Sequence, residues 1–183
     1  GCFSMYPAKV MTSGEGGFVV TNNKKLRDKL LMIRNHGMLK GYDTRLLGLN
    51  LRLPEINAAI ATVQMKKLPK FLKTRQKNAE LLSKLLSKLN LNLPQERKNE
   101  KINWCLYTVT TPKRNILLKK LNGKGIGAAS YYSTPIHKIP FYKLKISLPV
   151  TNWAASHVIS LPIHPQVTSK NIEFIAKTIS EIL

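Results

Sequence analysis

Three segments near the start of the chain hold residues whose types and spacing could do chemistry. Ser4-Met5-Tyr6-Pro7-Ala8-Lys9 sets a hydroxyl five residues before a primary amine, and a lysine amine that has lost its proton is a nucleophile toward carbonyl carbons. Gly14-Glu15-Gly16-Gly17 is a tight turn, and Gly48-Leu49-Asn50-Leu51-Arg52 ends on an amide and a guanidinium two residues apart. Taken singly each is weak. A lone lysine after a turn is more often a surface lysine, Asn50 is a natural turn former beside Gly48, and Arg52 can be a surface charge near the start of a helix. The glycine run precedes a strand instead of opening a helix, so it lacks the helix N-terminus that a nucleotide-binding loop aims at a phosphate. Farther on, His137 sits in a proline-bounded loop between Ile136 and Lys138, with Tyr132 upstream. A lone loop histidine is commonly structural, and His36 and His164 are read as structural.

The elements that must position these residues alternate helix and strand. Gly14 to Gly17 leads into a short strand at Phe18-Val19-Val20-Thr21, expected to be buried, and a helix runs from Lys24 to about Asn35 with Gly37 where a C-terminal cap would sit. Residues from Gly41 to Leu53 lack a period and read as a connecting loop. Pro54 and Glu55 suit the first turn of a helix, with Ile56, Ala59, Ile60 and Val63 as its apolar stripe. Pro69 marks a break or kink, beyond which Leu72, Ala79, Leu82, Leu85, Leu86 and Leu89 continue a stripe. Pro94 to Lys101 reads as a surface turn into an α/β lobe. In that lobe Trp104 to Thr110 is strand-like, Asn115 to Leu121 helical, Ile126 to Tyr132 strand-like, and Thr151 to Val158 helical. An amphipathic helix at Ser169 to Ile182 closes it.

Length and composition bound the function. The chain has 183 residues, 43% of them apolar, enough for one domain, or a domain and a fragment, with a buried core. It opens at Gly1, with Phe3 to Tyr6 arriving as if in mid-fold, and a fragment is expected. No apolar run of about 18 residues appears, which excludes transmembrane helices, and the N-terminus lacks the layout of a secretory signal, so a cytoplasmic location is expected. Cys2 and Cys105 are too few for a disulfide framework and lack zinc-site spacing, so no metal is expected. Thirty Lys and Arg against nine Asp and Glu give a net charge of +21, which favours contact with polyanions. The densest run, Lys66 to Lys88, is spread along a helix without a nucleic-acid signature, and it reads as a solvated face.

Taken together and in order, the segments become specific. Phe3-Ser4-Met5-Tyr6-Pro7-Ala8-Lys9-Val10-Met11-Thr12-Ser13-Gly14-Glu15-Gly16-Gly17-Phe18-Val19-Val20-Thr21 resembles the cofactor-lysine segment of the DegT/DnrJ/StrS sugar aminotransferases. The resemblance continues through Arg34-Asn35-His36-Gly37, Gly48 to Arg52 followed by Glu55-Ile56-Asn57-Ala58-Ala59-Ile60, then Pro135-Ile136-His137 and Leu161-Pro162-Ile163, and so covers the whole chain. It implies an α/β fold, the C-terminal part of the pyridoxal-phosphate-dependent transferase fold: residues 1–50 as the end of the large cofactor domain, 51–92 as long connecting helices, and 93–183 as the small C-terminal α/β domain.

The resemblance implies a pyridoxal 5'-phosphate enzyme that moves an amino group, with glutamate as the expected donor, onto a keto-sugar nucleotide. Lys9 matches the Schiff-base lysine that then shuttles a proton, and Ser4 the hydroxyl aimed at the cofactor phosphate. Asn50 matches a phosphate contact supplied from the neighbouring subunit, which implies a homodimer with a shared active site. Arg52, Tyr132 and His137 are the expected substrate-binding residues. Some relatives carry histidine in place of the lysine and dehydrate, so Lys9 argues for amino transfer. Family members are about twice this length, and their upstream half supplies the carboxylate on the pyridine nitrogen, an aromatic ring on the cofactor and backbone phosphate ligands. Ala8, Val10 and Pro54 depart mildly from the family pattern. The alternative is a catalytically inactive truncated relative that acts as a dimerising or polyanion-binding, nucleic-acid-type protein; no membrane partner is expected, and nucleic acid is the less favoured partner.

Overall fold

The computed structural model describes all 183 residues, which divide into two compact units, Gly1–Pro69 and Lys70–Leu183. The division falls inside one helix at Pro69, the residue that lacks the N–H a helix interior needs. No helix is long and apolar enough to cross a membrane.

In the first unit, β1 (Cys2–Ser4) and β2 (Gly17–Val19) pair antiparallel, with Phe3 opposite Phe18 and their rings stacked 4.8 Å apart. The strand expected at Phe18 is present but not buried: Phe3 and Val19 are each 50% exposed, because the two-stranded sheet has no further strand and no covering layer. Helix α1 (Lys24–Ile33) starts where Asn23 Oδ1 accepts the Leu26 N–H at 3.0 Å, removing one orphan donor of the first turn. The expected loop beyond it contains a small hairpin, β3 (Met38–Lys40) with β4 (Asp43–Thr44). Helix α2 (Glu55–Leu86) opens at the acidic residue after Pro54, as the sequence predicts. Its first apolar stripe stays open to solvent, with Ile56 76% exposed.

The second unit holds the core. The later turns of α2 bury Arg75, Asn78, Ala79, Leu82 and Leu86, a helical stripe that packs with β5 (Tyr107–Thr110), α3 (Arg114–Gly123), β6 (Val158–Leu161) and α5 (Ser169–Ile182). Strands β5 and β6 are antiparallel from Tyr107–Leu161 to Thr110–Val158, and Asn92 and Ala129 add single bridges at Thr110 and Ser160. Residues 126–132, expected as a strand, therefore contribute only Ala129 to the sheet, and α4 (Pro149–His157) gives way to β6 one residue before the expected helix end. Buried cations act as staples. Arg75 Nη1 donates to the carbonyls of Trp104 (2.9 Å) and Cys105 (3.1 Å), and burial holds its pKa below the usual arginine value, against an opposing interaction with Cys105. Arg114 likewise donates to Ala155 and Ser156.

Candidate active site

The Lys9 loop is built by backbone ties rather than by a core. Met5, buried beneath it, donates its N–H to Gly16 O at 2.9 Å, while its own carbonyl accepts the Ser13 N–H (3.1 Å) and the Thr12 hydroxyl (3.0 Å). These bonds pin the two feet of the loop together. At the tip the Lys9 N–H closes a turn onto Tyr6 O at 3.0 Å, which leaves the Lys9 side chain exposed and outside every ion pair. Ser4 ends β1, and its Oγ accepts the Tyr6 N–H at 3.3 Å, so the hydroxyl proton remains free to donate. The return strand is preceded by Gly16, whose φ of +132° suits glycine alone, and a Cβ there would meet Leu53 and Met5.

Asn57, in the first turns of α2, donates from Nδ2 to Ser13 O at 2.7 Å and to Glu15 O at 3.4 Å. It ties the far side of the Lys9 loop to a helix more than forty residues away in sequence. Sequence reasoning placed Asn57 only in a helix motif; an amide among the apolar residues of that turn was the signal.

The Asn50 segment is fixed by a close crossing of glycines. Gly37 follows α1 at φ +73° and donates to Met32 O, and a Cβ on it would collide with the Leu46 carbonyl; one on Gly48 would collide with the Gly37 backbone nitrogen. With both glycines in contact, His36 donates to Leu49 O (3.0 Å) and Leu51 to Arg34 O (2.9 Å), and Asn35 bridges Asn50. Arg52 Nε then donates to Asn50 Oδ1 at 2.8 Å, which orients the amide with its Nδ2 donors outward.

The expected site residues thus fall into two groups. Ser4 and Lys9 share one loop and Asn50 and Arg52 share one hydrogen bond, all four in the first unit. Tyr132 and His137 belong to the second unit. Tyr132 is exposed, whereas His137 is only 6% exposed and its Nε2 meets Asn152 Oδ1 of α4 at 3.1 Å.

A profile of the DegT/DnrJ/EryC1/StrS aminotransferase family matches residues 1–180. The chain belongs to that family. Among its relatives, the UDP-N-acetyl-3-dehydro-alpha-D-glucosamine 3-aminotransferase of Acidithiobacillus ferrooxidans is 32% identical over 186 residues, covering 100% of this chain and 50% of its own. The dTDP-3-amino-3,4,6-trideoxy-alpha-D-glucose transaminase of Streptomyces venezuelae is 34% identical over 171 residues, covering 90% and 45%. The crystal structure of S. venezuelae DesV in complex with a ketimine intermediate superposes with a TM-score of 0.94 at 31% identity, over 98% of this chain and 50% of that one. The chain therefore has the α/β fold of one half of an aminotransferase, and it spans about half the length of the curated relatives it matches.

Proposed function

We propose that this chain is part of a pyridoxal-phosphate-dependent aminotransferase that transfers an amino group from glutamate to a keto-sugar nucleotide in the cytoplasm. One observation carries the reading: Ser4 and Lys9 stand on a single backbone-tied loop in a chain of the aminotransferase family. The named relatives act, by their names, on UDP-linked and dTDP-linked sugars, which supports a nucleotide-linked substrate.

The donor set fits the cofactor. A free hydroxyl proton on Ser4, an amine on Lys9, an outward amide on Asn50 and a guanidinium on Arg52 are the groups that a phosphate monoester and an aldehyde require, and no carboxylate neutralises Lys9 or Arg52. The cofactor, when bound, supplies the electron sink for exchange of the amino group. Lys9 Nζ would be the group that holds it and, once free, the base that moves a proton at the substrate carbon. Ser4 Oγ donates to the phosphate. Asn50 Nδ2 donates to the phosphate in the neighbouring subunit of a homodimer, and Arg52, which holds Asn50 through Nε, offers its remaining N–H groups to the anionic substrate. Tyr132 and His137 complete the substrate side. Residues 1–50 act as the tail of the cofactor domain, 51–92 as connecting helices and 93–183 as the small domain.

The test is peptide mass mapping after borohydride reduction of the protein incubated with pyridoxal phosphate. Label concentrated on Lys9, and lost in Lys9→Ala, is expected. Label spread evenly over the surface lysines would overturn the reading.

A further inference from the structure

The part of α2 that belongs to the second unit, from Lys70 to Leu86, has two opposite faces. One buries Arg75, Asn78, Ala79, Leu82 and Leu86. At 3.6 residues a turn, Lys70, Lys73, Lys77 and Lys84 fall within about 60° of one another around the axis, on the side turned away from those buried residues. All four are exposed, and the row they make runs along about 21 Å of the axis. The lysine run that read from the sequence as a solvated face is therefore gathered by the helix into a single line, and Lys88, also exposed, follows just past the helix end.

The row is uncompensated. Glu80 is the only acidic residue between Glu55 and Glu96, its Oε1 accepts from Gln76 Nε2 at 2.8 Å, and none of the three ion pairs of the chain includes any of these lysines. Lysines three and four residues apart on a helix repel, so the row costs helix stability until anions lie along it. A straight row of ammonium groups meets a flat anionic surface along its whole length. Two features favour a lipid surface over a nucleic acid. Leu81 and Leu85, one turn apart, run beside the lysines, and Leu85 is 40% exposed, so one edge of the row is apolar, as on a helix that rests at the headgroup boundary of a bilayer. The lysine face also carries neither an arginine nor an aromatic ring, the groups that grip phosphates in pairs of hydrogen bonds and stack on bases.

We propose that this face of α2 docks on a membrane leaflet rich in anionic phospholipid, with Lys70, Lys73, Lys77 and Lys84 over the headgroups and Leu85 at the acyl boundary. A basic cluster of this size on an amphipathic helix is held by the negative surface potential of such a leaflet. The contact is one of surfaces: no helix of the chain is long and apolar enough to cross a bilayer. It uses no residue of the Lys9 site and stands or falls apart from the reading of that site.

Flotation of the full chain with vesicles of phosphatidylcholine alone, and with vesicles of phosphatidylcholine and phosphatidylserine in equal parts, tests it. Binding only to the vesicles that contain phosphatidylserine is expected, fading in high salt. Each lysine near such a surface counts for about a fivefold factor, so Lys70→Gln, Lys73→Gln, Lys77→Gln and Lys84→Gln combined should weaken binding about a hundredfold or more. The same charge removed elsewhere, by Lys119→Gln, Lys120→Gln, Lys170→Gln and Lys177→Gln combined, should weaken it less than about tenfold. Glutamine is a good helix former and every one of these sites is exposed, so both sets keep the fold, which an unchanged melting temperature verifies. Arginine at the four α2 positions keeps the charge and should keep the binding. No binding to the phosphatidylserine vesicles, equal losses in the two glutamine sets, or tighter binding to single- or double-stranded DNA at the same salt concentration would each overturn the inference.

Discussion

The two units of this chain differ in what holds them together. Of the buried apolar side chains, Met5 alone lies in Gly1–Pro69, while the rest lie in Lys70–Leu183 and, Ala155 apart, form its core. Yet the first unit carries Ser4, Lys9, Asn50 and Arg52. Its order comes from hydrogen bonds that return the chain on itself, from the glycine contact at Gly37 and Gly48, and from Asn57 gripping the Lys9 loop. The contrast teaches that the lysine loop is shaped locally by backbone geometry, whereas the second unit is shaped by burial. Local opening is cheap where few apolar contacts must be broken, so the first unit should be the more dynamic.

Substitutions should separate the two regimes. Leu82→Ala removes a fully buried side chain and should cost about 3 kcal/mol in urea unfolding followed by the fluorescence of buried Trp104, while Val19→Ala should cost less than about 0.5 kcal/mol in the same assay. Equal costs would break the comparison. Asn57→Ala removes both ties to the Ser13 and Glu15 carbonyls and should loosen the loop by about 1–2 kcal/mol, seen as faster amide exchange at Met5 to Gly16 with the Trp104 transition unmoved. Tyr107→Phe gives up the 2.7 Å hydrogen bond to Ser83 and should cost about 1 kcal/mol at neutral pH.

Two groups of the second unit, Tyr107 and Glu181, have shifted pKa values that tie stability to pH. Burial pushes the Tyr107 hydroxyl above its usual pKa, with the Ser83 hydrogen bond opposing. Its contribution is therefore complete below the ordinary tyrosine range and is lost as pH rises through the raised value, an alkaline step that Tyr107→Phe should remove. At the acid end the hydrogen bond from Lys124 holds Glu181 below the usual carboxylate range, so that contribution is present above the range and fades as pH falls through the lowered value. This pair is exposed, and Glu181→Gln should have the smallest effect of the set, vanishing in high salt.

Much of the helical scaffold was legible because its signals are local. Pro54-Glu55 marked the start of α2, and the apolar period ending in Ile172, Ile175, Ala176 and Ile179 gave α5 from Ser169 to Ile182. Strand β6 was hidden because it follows α4 with no turn residue between His157 and Val158, so the helical pattern ran on. Residues 126–132 have strand-like composition, but only Ala129 finds a partner. The strand at Phe18 was expected to be buried and is not, and the Ile56 stripe is likewise open: apolar periodicity reports which face could be covered, not whether this chain contains the cover. The family was readable from an ordered set of motifs that includes the Lys9 segment. The Asn57 clamp and the Gly37–Gly48 contact were not, since each joins residues distant in sequence.

Hydrogen exchange of the full chain, with and without pyridoxal phosphate, tests the central claim most directly. The expected result is low protection across Gly1–Pro69 and high protection in β5, β6, α3 and α5, with the cofactor raising protection at Ser4 to Gly16 and at Asn50 to Arg52. Equal protection in both units without the cofactor, or cofactor-induced protection confined to Lys70–Leu183, would contradict it.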